Sequence, residues 1–418
     1  MNPTTILTVS ILLAAGTTLG AQGSDDGQSS EWNQWRGPRR DGLSPDEGLL
    51  TEWPEQGPPL AWKATGLGQG FSSVSFAGSL VFTMGDKDGA ARLFAMDQGD
   101  GKVRWSAKVG RPGGARNPGP RSTPSTDGKL VFGLGHDGAL ACVEVKSGKV
   151  KWRRHLARDF GGRMMSGWGY SESPLLDGEL LVCTPGGSGG AVIALRKKSG
   201  KLVWRSEKLK DPAAYSSLVP VEIGGVRQYL ILTGRSVAGV SARNGRLLWR
   251  AARPGKTAVC TTPVYEDGWL FVTSHYNVGC NAFRITSSGR KFKVREVWAG
   301  KQLQNHHGGV ILVGGHVYGL GRRSLKCIEL RTGKVRWENR SVGKGSIAYA
   351  DGHLVLRSER GRGTLALVEA TPQGYREKGR FDQPDRSSEP AWAHPVIYRK
   401  KLWVRDQDIL LCFDVEAD

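Results

Sequence analysis

Apolar residues along this chain come in short alternating runs, such as "KLVFGLG" at 129–135 and "HLVLRSE" at 353–359, bounded by Asp-Gly and similar pairs. Period-two alternation marks half-buried strands, and Asp-Gly between such runs marks hairpins. Long amphipathic helical stretches are absent. The unit 122–152, "STPSTDGKLVFGLGHDGALACVEVKSGKVKW", reads as strand, Asp-Gly turn, strand, Gly-rich turn, strand, Ser-Gly turn, strand. The same order recurs in "SESPLLDGELLVCTPGGSGGAVIALRKKSGKLVW", "TTPVYEDGWLFV" and "HGGVILVGGHVYGLGRRSLKCIELRTGKVRW".

These units end alike: "DGKVRW", "SGKVKW", "SGKLVW", "NGRLLW" and "TGKVRW" close on Trp105, Trp152, Trp204, Trp249 and Trp337. With Trp62, Trp298 and Phe381 they form a series spaced by 39 to 52 residues. A period in the forties with four short strands per unit predicts a β-propeller, and missing Trp-Asp and Gly-His signatures exclude the WD40 type. The Gly of each ending permits a positive-φ turn between third and fourth strands, and the Trp wedges between neighbouring blades. Blades are expected at roughly 71–105, 122–152, 171–204, 216–249, 261–298, 308–337 and 345–381. The tail "HPVIYRKKLWVRDQDILLCFDV" supplies only three strands, whereas Trp62 in "LAWKATG" is a fourth strand without its three. Both gaps close in an all-β, eight-bladed propeller whose last blade is completed by the N-terminal strand around Trp62. That clasp also covers a sheet edge.

Composition adds compartment and charge. The first 23 residues, "MNPTTILTVSILLAAGTTLGAQG", carry no charged side chain, and their apolar stretch is too short to span a bilayer. They read as a signal peptide (1–23), followed by an N-terminal extension (24–58) and the propeller (59–418). The expectation is an exported protein, periplasmic or secreted, without a transmembrane anchor and monomeric. Its net charge of +20 then points to an anionic polysaccharide, an envelope surface or an acidic protein partner rather than to nucleic acid. The plainer alternative is a solvated basic surface.

Of six cysteines, Cys142, Cys327 and Cys412 align at a third-strand position where other blades carry Ala95, Ala194, Gly239 and Ala282. They read as small buried hydrophobes. Cys260 and Cys280 share one blade, so a disulfide between them stays open, and Cys183 looks unpaired. "GLGHDG" at 133–138 matches a dinucleotide fingerprint but leads into a strand, and "GGSGG" around Ser188 links two strands instead of forming a nucleophile elbow. Adjacent His306 and His307 should diverge on a strand, and no Cys or carboxylate lies near them in sequence. No metal is expected there.

In a propeller, the loops entering each inner strand and those joining second to third strands share one face. Here they are long: "SAKVGRPGGARNPGPR" at 106–121 and "RRHLARDFGGRMMSGWGY" at 153–170. The candidate binding face therefore comprises Arg116, Arg121, Arg154, Arg163, Trp168, Tyr170, Tyr215, His275, Tyr276, Asn305, His306, His307, Trp392 and His394. Guanidinium groups, imidazoles and aromatic rings suit a ligand with anionic and flat or sugar-like parts. The alternative is that Trp168, Tyr170 and Trp392 simply plug the channel. No catalytic residue can be named.

The repeated "TGKVRW" unit, the eightfold count, the leading "WNQWRGPRRDGLSP" and "GWGYSESPLLDGELLVCTPGG" together resemble the pyrroloquinoline-quinone (PQQ) repeat propellers, over nearly everything after Trp32. The resemblance is to an exported branch that looks non-enzymatic, and it implies a binding or assembly scaffold. The alternative it implies is an oxidoreductase like the quinoprotein alcohol dehydrogenases, with PQQ and calcium. Those enzymes hold their quinone beneath two adjacent cysteines and beside calcium. This chain has no Cys-Cys pair and no matching Glu, Asn and Asp set, so no cofactor is expected.

Overall fold

The computed structural model describes Met1, residues 31–114 and residues 116–417, so the signal-peptide expectation lies outside the described residues. Eight four-stranded antiparallel sheets make up the structure. Seven are consecutive meanders, with first strands beginning at Ser75, Ser125, Leu175, Val219, Val264, Val310 and Gly345. In the eighth, Val396–Tyr398, Lys401–Asp406 and Ile409–Asp414 are joined by Leu60–Ala64, with Trp62 opposite Cys412. One short helix, Leu156–Phe160, interrupts the loop after the second blade. No helix among the described residues is long and apolar enough to cross a membrane.

The core is a ring of eight apolar clusters, one at each junction between adjacent blades. Middle strands are covered on both faces and therefore read as near-continuous apolar runs, whereas the fourth strands at the rim alternate. Leu130–Leu134 is almost wholly buried, but Val150–His155 is half exposed.

The recurrent ending now has a mechanism. Each rim Trp sits opposite a small third-strand residue: Ala95 faces Trp105, Cys142 faces Trp152, Ala194 faces Trp204 and Cys327 faces Trp337. A bulge beside that pair re-aims the ring toward the next blade. There it lies on the turn glycine. Trp62 covers Gly101, Trp105 covers Gly148, Trp152 covers Gly200, Trp204 covers Gly245 and Trp298 covers Gly333, so closely that a Cβ on any of these glycines would meet the ring at 2.4–2.9 Å. Each of these glycines also has φ of 65–74°. In the same junctions the indole N–H donates to a carbonyl of that turn, as from Trp105 to Val145 (2.8 Å) and Trp152 to Lys197 (2.9 Å). Cysteine works at the small position because it is compact and apolar. All six cysteines are free, Cys260 and Cys280 included.

The extension is not peripheral. Residues 31–46 enter the central channel from the short-turn face, reach upward and return. On the way they pair with one inner strand after another. Trp32 O accepts from Phe76 N, Asn33 O from Thr126 N, and Gln34 Oε1 from Leu176 N. Arg36 donates to Val310 O, and the fully buried Arg40 donates to Ser173 O and Pro174 O. Ser44 N donates to Tyr349 O, and Asp46 accepts from Lys400 N. "RGPRRDG" makes this hairpin possible: Arg36, Gly37, Arg40 and Gly42 all have φ near +60 to +80°. Burial pushes the Arg36 and Arg40 guanidinium pKa values down to about 10 and about 9. The channel is thus plugged from below by the extension.

Candidate functional site

A pocket of about 190 Å³ opens at the channel mouth on the long-loop face. Its lining follows a rule. In seven blades the residue four places before the inner strand faces it: Phe71, Arg121, Ser171, Tyr215, Cys260, His306 and Trp392 precede Ser75, Ser125, Leu175, Val219, Val264, Val310 and Val396. The chain enters every inner strand from this face, so equivalent positions converge around the axis. Tyr276, from a loop between second and third strands, closes one side. Trp35, at the tip of the plug, reaches the wall from below and donates its N–H to Thr262 Oγ1 at 3.1 Å.

One wall is a continuous stack of rings. His275 lies over His306 (centroids 4.8 Å apart), His306 on His307 (3.4 Å), His307 on Trp392 (4.2 Å) and Trp392 on Phe71 (4.3 Å), all within 36° of parallel. Tyr276 meets both His275 and His306 edge-on. The expected divergence of His306 and His307 is therefore overturned: they lie in a loop, not a strand, and their rings stack. Tyr276 and Asn277 hold φ of 58° and 65°, a conformation costly for a bulky side chain and typical of sites under functional constraint.

Charge enters from two sides. Arg121 donates to Trp168 O and Asn117 O, both at 2.9 Å, and sits 5.9 Å from the Phe71 ring centroid. Opposite it, Lys344 reaches His306 Nδ1 (3.0 Å) and Glu359 Oε2 (2.8 Å). Burial alone would raise the Glu359 carboxyl, but His307 and Lys344 carry it down to about 2. Burial and the surrounding positive groups hold His306 at about 2, and burial holds His307 at about 4, so both imidazoles are neutral at neutral pH. The Cys260 thiol is pushed up to about 12 by burial.

Of the candidate residues, Arg121, Trp168, Tyr215, Tyr276, His306, His307 and Trp392 line the pocket, and His275 extends its ring stack. Others lie elsewhere for definite reasons. Tyr170 is buried between the second and third blades, its hydroxyl on Pro185 O. Asn305 is wholly buried and braces its loop by donating to Gly309 O and Leu320 O. His394 lies beneath the pocket, packed at a tilt against Trp35 (centroids 4.5 Å apart) and bonded to His307 O. Arg154 turns to the rim and donates to Gly200 O. Arg116 and Arg163 are both exposed and outside the lining. Sequence reading missed Phe71, Ser171 and Cys260, although aligning the entry to each inner strand would have found them. Trp35 left no such signal.

Comparison with known proteins places this geometry. A family model described as outer membrane protein assembly factor BamB matches residues 43–169 and 89–339. A tetrathionate hydrolase from Acidithiobacillus ferrooxidans is 26% identical over 200 residues, 39% of this chain and 37% of that protein. The BamB of Yersinia pestis is 25% identical over 184 residues, 42% of each. The chain thus spans less than half the length of these curated relatives. The quinohemoprotein alcohol dehydrogenase of Comamonas testosteroni superposes with a TM-score of 0.65 at 10% identity, over 94% of this chain and 82% of that one. At that identity the likeness is one of fold.

Proposed function

This chain belongs to the BamB-type family of PQQ-repeat propellers, and from that membership and its channel mouth we propose that it is an exported binding or assembly scaffold for an anionic envelope partner. The observation that carries the reading is the ring-walled pocket with the Arg121 guanidinium at its edge. Rings offer flat stacking surface, and a partly desolvated cation beside them favours an acidic group. The pocket's volume suits one flat or sugar-like end group, with the rest of the partner lying across the long loops.

A PQQ-dependent dehydrogenase fits the donor set less well. Calcium takes hard oxygen ligands, usually several carboxylates. The lining contains no Asp or Glu, and the nearby Glu359 is already bound by Lys344. No cysteine pair caps the pocket.

The test is a binding screen of acidic and neutral glycans and of envelope extract, repeated across salt concentrations. Trp168→Ala and Tyr276→Ala should each weaken the captured partner about tenfold, the loss of one stacking surface. Changing Lys102, Lys149, Lys201 and Lys334 on the opposite face to Ser should leave most of the affinity. Equal losses from both sets would mean a diffuse basic surface and end the one-face reading.

A further inference from the structure

At the base of the pocket, Cys260 from one blade junction meets His306 and His307 from the next, with one donor atom from each residue inside a 4.8 Å span. His306 Nε2 and His307 Nδ1 are buried without a hydrogen-bond partner among the described residues. A native protein seldom leaves buried ring nitrogens unpaired without use for them. Glu359 Oε2 stands 3.8 Å from His307 Nδ1, beyond hydrogen-bonding distance, and its firm partner is Lys344 at 2.8 Å. Metal–sulfur and metal–nitrogen bonds of about 2.3 and 2.0 Å draw their donor atoms to within roughly 4 Å of one another. Only a small closing movement is therefore needed.

We propose that Cys260, His306 and His307 form a binding site for a soft monovalent metal ion, copper(I). The thiolate selects softness, and two imidazoles complete a three-coordinate set familiar to copper. The neighbouring charges choose the lower oxidation state. Arg121 and Lys344 flank the site, and Glu359 already neutralises Lys344. A thiolate with Cu⁺ is electrically neutral, whereas a divalent ion would add a net positive charge beside Arg121. On binding, the Cys260 S–H bond breaks, the proton passes to solvent and a Cu–S bond forms, with no change of oxidation state. Lys344 must leave His306 Nδ1, so that this nitrogen carries the ring proton and Nε2 presents its lone pair. Glu359 is already in place to hold the released ammonium.

The site stands apart from the partner-binding reading, because copper retention is measured with no organic ligand present. Anaerobic titration with copper(I) in competition with bicinchoninate should give one equivalent per chain. X-ray absorption of the loaded protein should show one sulfur and two nitrogen neighbours. Cys260→Ser and His306→Gln should each lower affinity by about a hundredfold or more, and Glu359→Gln by about tenfold. Lys344→Met should raise it, an effect that a merely structural role would not produce. Cys260 is half-buried whereas the other five cysteines are buried, so iodoacetamide should label it first and copper(I) should block that labelling in the unmutated chain. Substoichiometric retention, unchanged affinity in a folded Cys260→Ser protein, or tighter binding of zinc(II) than of copper(I) would each overturn the proposal.

Discussion

The rim and the channel mouth use the same kind of residue under opposite rules. At the rim, Trp62, Trp105, Trp152, Trp204, Trp298 and Trp337 each donate their indole N–H to a carbonyl of the next blade at 2.8–3.1 Å. At the mouth, Trp392 Nε1, His275 Nδ1, His306 Nε2 and His307 Nδ1 are buried with no such partner among the described residues. The rim is finished structure, its polar atoms spent on joining blades. The mouth leaves these four ring nitrogens unspent, and an unpaired buried group is tolerated where a ligand will pair with it.

The largest effect should come from breaking the rim lattice. Gly200→Val places a β-branched side chain at φ 65° and drives its Cβ into the Trp152 ring. Strain and overpacking together should cost roughly 2–5 kcal/mol in urea denaturation. The turn of blade five that faces blade four escapes this lattice. Its glycine, Gly289, has nothing within 4 Å, and Trp249 bonds Gln228 of its own blade instead. Gly289→Ala should cost only about 1 kcal/mol. Similar losses at the two positions would show that Trp-on-Gly packing is not what joins the blades.

A pH series with a histidine variant probes the mouth. Burial keeps His307 near 4 and His394 near 3, so the folded chain stays unprotonated while the unfolded chain takes up protons below about pH 6.5. Their full stability is present above that pH. It is lost as pH falls, by ~1.4 kcal/mol per unit for each histidine, until the folded value is reached. Glu172, raised by burial to about 7, opposes this by one proton between roughly pH 4.5 and 7. Between pH 4 and 6.5, His307→Asn should flatten the stability slope by one histidine's share. An unaltered slope would mean that this imidazole is open to solvent.

The smallest effect is the most direct comparison. Trp152→Phe removes an indole N–H that has a carbonyl partner and should cost about 1 kcal/mol beyond the change in ring size. Trp392→Phe removes an N–H that has none, so it should be close to neutral by the same measure. Equal costs from calorimetry would mean that the mouth is as fully bonded as the rim.

The repeat alone specified eight blades, the clasp through Trp62 and the small third-strand position of Cys142, Cys327 and Cys412. Each is set by a local rule written many times: alternation for strands, Asp-Gly for turns, one Trp per rim. The mouth was legible to the extent that it obeys the same repeat, which is why Arg121, Tyr215, His306 and Trp392 were within reach and Tyr170 misled. Tyr170 lies one place before Ser171, the position that faces the pocket, and its ring falls between blades. Three features were decided only by the tertiary structure: the plug at 31–46, the arrival of Trp35 under the pocket, and the meeting of Cys260 with His306 and His307. They depend on the ring closing, which brings together residues far apart in the chain, such as Arg36 and Val310. No periodicity encodes such a meeting, because the partners of a channel are set by rotation about an axis and not by distance along the sequence.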